Sequence, residues 1–326
     1  MRLLSESDVS RLLDADEAIR ASRDAFIALS CGDAEIPLRT EILRPDVGGV
    51  IMVMPGLIRG KNFGLKVIAS SREEKTNNLL TSSLILIFDS QSLQPLGLFS
   101  SDYFTDYRTA AGLAAATDVL ARKDATTHAV FGAGKLAAPS IALISQVRPI
   151  KRLIIVGRTR KRVEELADKI RQDPAQRFER IDIDLSADEA AAAADIITAV
   201  TSSTTPVCDG RRVRRGTHIN IGGAFQPSWR EMDDGVAGRA FFYMDSEKSC
   251  MVRSGDICIP LASGVLSKDR LRGEIGSLMA GRIPGRSSDA DITVFKSLGN
   301  AAQDLVLGSI LLRSPEKAGA NFDPAN

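Results

Sequence analysis

The sequence predicts an α/β protein of two domains, one with a parallel sheet whose strands alternate with helices and one with an α+β arrangement. Three observations predict this: a glycine-rich turn between a strand and a helix near residue 132, apolar strands that alternate with helices after it, and strand-like segments that follow one another before it. A chain of 326 residues with 44% hydrophobic residues is long enough for two cores.

The first third of the chain predicts one helix and an antiparallel sheet. Between residues 4 and 31 apolar residues return at three- and four-residue steps, which indicates a helix that Gly32 ends. Strand-like segments follow at 36–44, 50–54, 63–70 and 84–89, with turn-forming residues at 45–49, 59–62 and 74–78. An alanine-rich helix over 105–122 leads into the next strand, so we place the domain boundary near residue 120.

The glycine-rich turn is typical of a dinucleotide-binding loop. A strand at 128–131 runs into the five residues Gly132, Ala133, Gly134, Lys135 and Leu136, and a helical segment at 139–146 leads to a second strand at 152–156. Gly132 allows the tight turn, Gly134 lets backbone N–H groups approach a pyrophosphate, and the helix N-terminus adds partial positive charge. We therefore predict a Rossmann NAD(P)-binding domain over 121–299, with these five residues at the cofactor.

The end of the second strand indicates which dinucleotide is preferred. An NAD-binding chain carries Asp or Glu there to accept hydrogen bonds from the ribose, whereas this chain has Gly157 and Arg158. Arg158 can bind a 2′-phosphate with its guanidinium fork, and Thr159 and Arg160 add donors. We predict a preference for NADP(H), with NAD(H) as the second cofactor; a solvated basic helix start is the other interpretation of this run.

Further strands complete the predicted sheet. They lie at 182–184, 195–200, 218–222 and 240–244, and the segment from residue 292 becomes a long helix, so that 300–326 returns to the first domain. The remaining cofactor-binding candidates, some of them equally well explained as loop or solvent-facing residues, are Thr201, Ser202, Gly222, Lys296 and Gly299.

Composition excludes several classes of function. With 42 basic and 41 acidic residues there is no charge excess for binding nucleic acid or an anionic membrane. Acidic residues near the start and the absence of an 18-residue apolar window predict a cytoplasmic protein. The four cysteines lack metal-site spacing, and His128 and His218 are the only histidines, so we predict no metal site and interpret His218 as a core residue.

Several separated segments together resemble the ornithine cyclodeaminase/μ-crystallin family. The resemblance covers nearly the whole chain, and as an ordered set its motifs are specific. They are Gly64-Leu65-Lys66, Arg108-Thr109-Ala110-Ala111, Gly132-Ala133-Gly134, Thr217 to Gly222, Pro227 with Glu231, Gly281-Arg282, and Asp291 to Gly299.

The resemblance implies both an architecture and a chemistry. It implies that residues 1–120, with 300–326, form a substrate-binding and dimerisation domain, that the protein is a homodimer, and that it transfers hydride at a carbon that bears nitrogen beside a carboxylate. By position, the family's carboxylate-binding arginines match Arg39 and Arg108, and its active-site lysine matches Lys66. A guanidinium fork suits a carboxylate, and desolvation in an apolar strand lowers a lysine pKa toward that of a proton donor.

Two departures from the family pattern narrow the activity. Ornithine cyclodeaminases carry Glu and Asp where this chain has Met52 and Phe225, and neither Met nor Phe accepts a proton. The segment around Phe225 is similar to the μ-crystallin branch, which implies an NADPH-dependent ketimine reductase. We therefore predict an NAD(P)H-dependent imine reductase or amino-acid dehydrogenase for a cyclic imino acid such as pyrroline- or piperideine-2-carboxylate. Asp102 and Asp106 are candidate replacements for the missing acid.

Two alternatives to this activity stay open. One is another enzyme, either a cyclodeaminase that releases ammonia and recycles bound NAD, or a dehydrogenase for an acyclic amino acid. The other is a protein that carries NADPH and binds its ligand without turnover.

Overall fold

The computed structural model describes residues 1–72, 79–316 and 318–322. The strands are Arg2–Leu4 (β1), Ala34–Glu35 (β2), Thr40–Arg44 (β3), Gly49–Ile58 (β4), Asn62–Arg72 (β5), Leu79–Asp89 (β6), Pro95–Ser100 (β7), Thr127–Phe131 (β8), Arg152–Val156 (β9), Arg180–Asp182 (β10), Ile196–Ala199 (β11), His218–Ile221 (β12), Ala240–Met244 (β13), Leu271–Glu274 (β14), Ile292–Lys296 (β15) and Ala320–Asn321 (β16).

The helices alternate with these strands in the second part of the chain. They are Glu6–Leu12 (α1), Ala15–Cys31 (α2), Asp102–Leu120 (α3), Ala137–Val147 (α4), Arg160–Gln172 (α5), Ala187–Ala193 (α6), Asp234–Ala237 (α7), Glu247–Arg253 (α8), Gly255–Ala262 (α9), Ile275–Met279 (α10) and Ala301–Arg313 (α11).

The chain divides into two units, and one of them contains both chain ends. Unit 1 comprises residues 1–108 and the chain from Gly299 onward, and unit 2 comprises Thr109–Leu298. The first division therefore falls inside α3, between Arg108 and Thr109, rather than near residue 120 as we expected. The second division falls between Leu298 and Gly299.

Unit 1 is built on an eight-stranded sheet in the order β16-β1-β7-β6-β5-β4-β2, with β3 also paired to β4. The strands from β4 to β7 are antiparallel, as the succession of strand-like segments and turns in the sequence predicts, whereas β1 runs parallel to β7. Helix α11 packs on β4, β5 and β6, where Gly56 and Gly64 leave room for the side chain of Leu305. Helix α11 therefore covers the face of the sheet that carries Lys66.

Unit 2 contains a parallel sheet in the order β10-β9-β8-β11-β12-β15-β13-β14. Every neighbouring pair is parallel, and the first five strands have the 3-2-1-4-5 order of a Rossmann sheet, with β8 as strand 1. The predicted strand at 152–156 has the predicted bounds, and helix α4 begins and ends within two residues of the predicted helical segment at 139–146. This half of the fold confirms the prediction.

Two predictions for the first third were wrong. The single helix expected over 4–31 is two helices, because Asp14 leaves the helical conformation and caps α2 by accepting a hydrogen bond from the Glu17 N–H at 2.9 Å. Gly32 does end α2, with φ of 83°. Strand β7 was not expected, because Pro95 and Gly97 resemble turn residues. The turn expected at 74–78 lies outside the described residues.

Both histidines lie inside the unit 2 sheet. His128 contacts the Thr198 hydroxyl at 2.9 Å, and His218 contacts the Thr293 hydroxyl at 3.0 Å and the Asn220 carboxamide at 3.2 Å. Burial lowers the pKa of each to about 3, so both are neutral near pH 7. This agrees with the interpretation of His218 as a core residue.

Candidate active site

Lys66 is a fully buried lysine on the face of the unit 1 sheet that α11 covers. It lies in β5 beside Met54 of β4, and its side chain is 0% exposed. The ammonium Nζ donates to Asp304 Oδ1 at 3.2 Å and lies 3.4 Å from the Thr105 hydroxyl oxygen. Burial and, to a smaller extent, the charge of Arg108 lower the pKa of Lys66, Asp304 opposes both effects, and the net result is a pKa of about 8. The amine therefore exchanges a proton near physiological pH.

Asp304 joins Lys66 to Arg108. Its Oδ2 lies 3.1 Å from Lys66 Nζ, and its Oδ1 lies 3.0 Å from Arg108 Nε, while the three side chains are between 0% and 4% exposed. Asp304 stands in the first turn of α11, where the helix dipole favours a carboxylate. Sequence analysis did not identify this residue; the available signal was one acid directly before the apolar run from Leu305 to Leu312.

Arg108 is held in place by three further contacts. Its Nη1 donates to Gln303 Oε1 at 3.3 Å, and Gln303 Nε2 donates to the Arg108 carbonyl oxygen at 3.1 Å. Gly299, with φ of 70°, lies so close that a Cβ there would collide with the guanidinium. Gly299, which we predicted as a cofactor contact, thus lies against Arg108, which we predicted to bind the substrate. Because Gly299 has no side chain, the Arg108 guanidinium fits beside it.

The buried cluster of Lys66, Arg108 and Asp304 carries an excess of positive charge. Two cations share one carboxylate, and the charge of the half-buried Arg39 also acts on Lys66. A buried cluster with unbalanced charge is costly unless a counter-ion joins it. Lys66, Arg108 and Arg39, the three residues predicted for the substrate, therefore contribute to one positive electrostatic potential. That potential favours the binding of an anion.

The two acids of the cyclodeaminase pattern have no replacement at their own positions. Met52 lies two residues before Met54 in β4, on the same face as Lys66, and offers only a thioether. Of the candidate replacements, Asp102 accepts a hydrogen bond from the Ser83 hydroxyl at 2.5 Å. The carboxylate in contact with Lys66 is Asp304, on a different element from either candidate.

The glycine-rich loop of unit 2 fits a dinucleotide pyrophosphate. Gly132 has φ of 112°, and its N–H donates to the Val156 carbonyl oxygen at 2.8 Å. In the part of the chain that the structure describes, the N–H groups of residues 133–136 donate to no protein acceptor. A Cβ on Gly134 would meet nothing within 4 Å. The loop therefore presents unused donors and open space at the start of α4, as the prediction for residues 132–136 requires.

The two arginines after β9 differ in their partners. Arg160 lies 2.7 Å from Glu164 Oε1 and 2.5 Å from Asp184 Oδ1, so two carboxylates already occupy it. Arg158 makes one long contact from Nη2 to the Ser202 hydroxyl, at 3.5 Å. Both arginines line a shallow cleft together with Val156, Gly157, Ile183 and Asp184. Thr159 begins α5 without a side-chain cap, so its hydroxyl makes no helix contact.

Thr201 and Lys296 belong to one buried network. Glu231 accepts hydrogen bonds from the Thr201 N–H and hydroxyl at 2.7 and 2.8 Å, and from the N–H groups of Gly223 and Ala224 at 2.8 and 2.9 Å. Lys296 is 0% exposed and donates to the Ala224 carbonyl oxygen at 2.5 Å and to Asp256 at 3.0 Å. The network holds the chain that follows β11 and β12, next to Ser202 and Gly222, where a Rossmann sheet binds its cofactor.

Phe225 lies beyond this network. Its side chain is 39% exposed and packs edge-on against Trp229, with ring centroids 5.2 Å apart. At the position of the family's Asp, the chain thus presents an apolar ring.

Within the described residues no three of His, Cys, Asp and Glu gather where they would hold a metal ion, and no helix is both long and apolar enough to cross a bilayer.

Comparisons with known proteins agree with this geometry. Residues 1–313 match the model of the ornithine cyclodeaminase/mu-crystallin family. The chain is 29% identical to a Delta(1)-pyrroline-2-carboxylate reductase of Bacillus cereus over 98% of each chain, and 30% identical to the ketimine reductase mu-crystallin of Rattus norvegicus over 85% of this chain and 84% of that one.

A solved structure gives the same result. The Delta(1)-pyrroline-2-carboxylate reductase of Thermococcus litoralis, in complex with NADH and L-proline, is 30% identical, covers 96% of each chain and has a TM-score of 0.89. The family match, the Rossmann strand order and the placement of Lys66 and Arg108 point to one assignment. The chain belongs to the ornithine cyclodeaminase/mu-crystallin family.

Proposed function

We propose that the protein reduces the C=N bond of a small cyclic imino acid, such as Δ1-pyrroline-2-carboxylate or Δ1-piperideine-2-carboxylate, with a nicotinamide dinucleotide. The observation that carries the proposal is the buried cluster of Lys66, Arg108 and Asp304, where two cations share one carboxylate. A substrate whose carboxylate stands beside an imine nitrogen supplies the missing negative charge and places its nitrogen near a proton donor. The names of the related reductases support this proposal.

The roles of the residues follow from their chemistry. Arg108 binds the substrate carboxylate with its guanidinium fork, and Arg39 adds a second positive charge. Lys66 gives a proton to the imine nitrogen, which becomes the amine, and then recovers a proton from solvent. Bound NAD(P)H supplies the hydride for the imine carbon. Met52 and Phe225 favour an apolar ring over a side chain with a terminal ammonium, because neither pairs with a cation.

The test is direct. Oxidation of NADPH and of NADH is followed by absorbance with each of the two imino acids, beside an ammonia assay with ornithine. We expect reduction of at least one imine and no ammonia. Ammonia from ornithine without imine reduction would establish the cyclodeaminase alternative. If the protein binds NADPH tightly but neither oxidises it with the imino acids nor releases ammonia from ornithine, the reductase proposal is overturned and the binding-protein alternative is favoured.

We also propose that NADPH is the preferred cofactor. Arg158 supports this proposal, because its guanidinium makes one long contact, to Ser202, and lines the cleft after β9. In Rossmann folds this position, after the second strand, binds the adenosine ribose. Arg160 is already paired with Glu164 and Asp184, so Arg158 is the available cation for a 2′-phosphate.

Replacing Arg158 with alanine is expected to reverse the preference. The loss of charge-assisted hydrogen bonds to the 2′-phosphate costs about 1.5–3 kcal/mol, so kcat/KM for NADPH should fall by roughly ten- to a hundredfold while that for NADH changes little. Lys161→Ala is the matched control, since it removes a neighbouring exposed charge. Equal kcat/KM values for the two nucleotides in the unmodified protein would contradict the proposal.

We further propose that the face of the unit 1 sheet opposite α11 is covered by a second copy of the chain. This face, the open sheet face, carries a stacked pair, Phe63 and Phe88, with ring centroids 5.0 Å apart. Leu84 and Ile42 on it are 47% and 54% exposed. The side chains that form it are Ile42, Ile51, Val53, Leu57, Phe63, Leu65, Val67, Leu84, Leu86, Phe88 and Leu98. Contiguous apolar surface of this kind marks an interface.

Charges on the open sheet face should separate the dimer. The chain mass is 35.0 kDa, so we expect a particle of twice that mass in light scattering after size exclusion, and one of 35.0 kDa for the double variant Val67→Asp with Leu84→Asp. Leu93→Asp is the control, because Leu93 is 65% exposed and lies in the turn between β6 and β7 rather than in a strand of this face. A dimer that survives the double change would place the interface elsewhere.

A further inference from the structure

Asp304 is a buried carboxylate whose two partners are the proposed proton donor and the proposed carboxylate-binding arginine. It reaches Lys66 with Oδ2 at 3.1 Å and Arg108 with Oδ1 at 3.0 Å, and its side chain is 2% exposed. It enters the site from α11, 238 residues after Lys66 in sequence. Oδ1 also accepts a hydrogen bond from Lys66 Nζ at 3.2 Å, so this one oxygen contacts both cations.

The surroundings of Lys66 show why this carboxylate is needed. Arg108 faces it from α3, and the charge of Arg39 reaches it from the segment before β3; both disfavour a charged ammonium, as does burial. The Thr105 hydroxyl is neutral. Asp304 is the carboxylate whose charge acts in the opposite direction. A neutral Lys66 accepts hydrogen bonds but has no proton to give to an imine.

We propose that Asp304 is a positioning residue that keeps Lys66 protonated and fixes it relative to the Arg108 guanidinium. This inference rests on the proposed imine reduction. In that reaction the π bond of the imine breaks, a proton from the Lys66 ammonium forms the new N–H bond, and hydride from the nicotinamide forms the new C–H bond. Asp304 holds no reacting atom; it sets the charge and the direction of the group that does.

The decisive variant is Asp304→Asn, which keeps the size of the side chain and removes its charge. Lys66 should then lose its proton at lower pH, so the alkaline limb of the kcat/KM profile should move down by at least about one pH unit. Activity should recover toward that of the unmodified protein as the pH falls below the new midpoint. A purely structural role would lower kcat/KM equally at every pH.

A second measurement does not depend on turnover. In protein labelled with ¹³C at lysine Cε, the resonance that disappears in Lys66→Met reports Lys66, and its titration midpoint should be near 8 in the unmodified protein and lower in Asp304→Asn. Asp89→Asn is the control, because Asp89 pairs with Arg313 at the surface of the same unit. Asp304→Glu keeps the charge, so its Lys66 midpoint should stay near that of the unmodified protein. If Asp304→Asn fails to fold, the midpoint measured in Asp304→Glu tests the proposal instead.

The outcomes separate this inference from the proposed function. An unchanged Lys66 midpoint in Asp304→Asn, or a midpoint in Asp304→Glu that falls well below that of the unmodified protein, would overturn the role of Asp304 whether or not imines are reduced. A midpoint that falls in a protein without imine turnover would support the role of Asp304 and reject the proposed reaction. A lower midpoint together with a shifted kcat/KM profile supports both.

Discussion

Replacing Arg108 with alanine is expected to lower kcat/KM for the imino acid by about two to four orders of magnitude. A guanidinium fork makes two charge-assisted hydrogen bonds to a carboxylate, each of which contributes about 1.5–3 kcal/mol. The change also removes one of the two cations that contact Asp304 and leaves Lys66 as the other. Steady-state kinetics with both imino acids measure the effect, and thermal unfolding shows how much of it is lost stability.

Two further variants make this result specific. Arg108→Lys keeps the charge and loses the fork, so most of the loss should remain. Arg313→Ala removes an arginine of the same unit that pairs with Asp89 at the surface, and we expect kinetics close to those of the unmodified protein. If Arg108→Ala retained kcat/KM within about threefold of the unmodified value, another residue would have to bind the carboxylate, with Arg39 the first to test.

The second large effect is expected at Gly132. With φ of 112° and the Val200 carbonyl oxygen 2.5 Å from where a Cβ would stand, Gly132→Ala combines backbone strain with a collision against the main chain. Strain alone costs about 1–3 kcal/mol, so we expect a lower melting temperature without nucleotide and an NADPH affinity that falls roughly ten- to a hundredfold. Calorimetric unfolding and fluorescence titration with NADPH measure both quantities.

Gly134→Ala in the same loop is the matched comparison. A Cβ there meets nothing within 4 Å, so the melting temperature without nucleotide should hardly change. The added methyl group would stand where backbone must approach the pyrophosphate, so NADPH affinity should still fall. If Gly132→Ala matched the unmodified protein in both stability and affinity, the tight turn would not require glycine.

The sequence predicted unit 2 well because its signals are local. Strand β9 has the predicted bounds, since Gly157 ends an uninterrupted apolar run there. In unit 1 the signals conflict: Asp14 is both an acid in a helical pattern and a helix cap, and only the second role explains the break before α2. Strand β7 tolerates Gly97 because Leu312 and the Arg2 backbone fill the place of its side chain, which periodicity does not reveal.

The candidate site was only partly predictable for a similar reason. Lys66, Arg108 and Arg39 came from a family resemblance, whereas Asp304 had no motif of its own. The sequence pattern places the family's acid at Phe225, and Asp102 and Asp106 near Arg108 are the replacements that it predicts. The carboxylate arrives from α11, 238 residues away in sequence from Lys66, and only the packing of α11 on β5 brings the two together.

The return of the chain to unit 1 has a consequence for biosynthesis. A ribosome that has made Lys66 and Arg108 must add residues 109–298 before α11 and its carboxylate emerge, which takes roughly ten to forty seconds at ordinary elongation rates. During that interval β4, β5 and β6 lack the helix that covers them. We expect unit 2, although later in sequence, to resist protease first on stalled nascent chains, and the lysine and arginine to remain without their counter-ion until α11 has been translated.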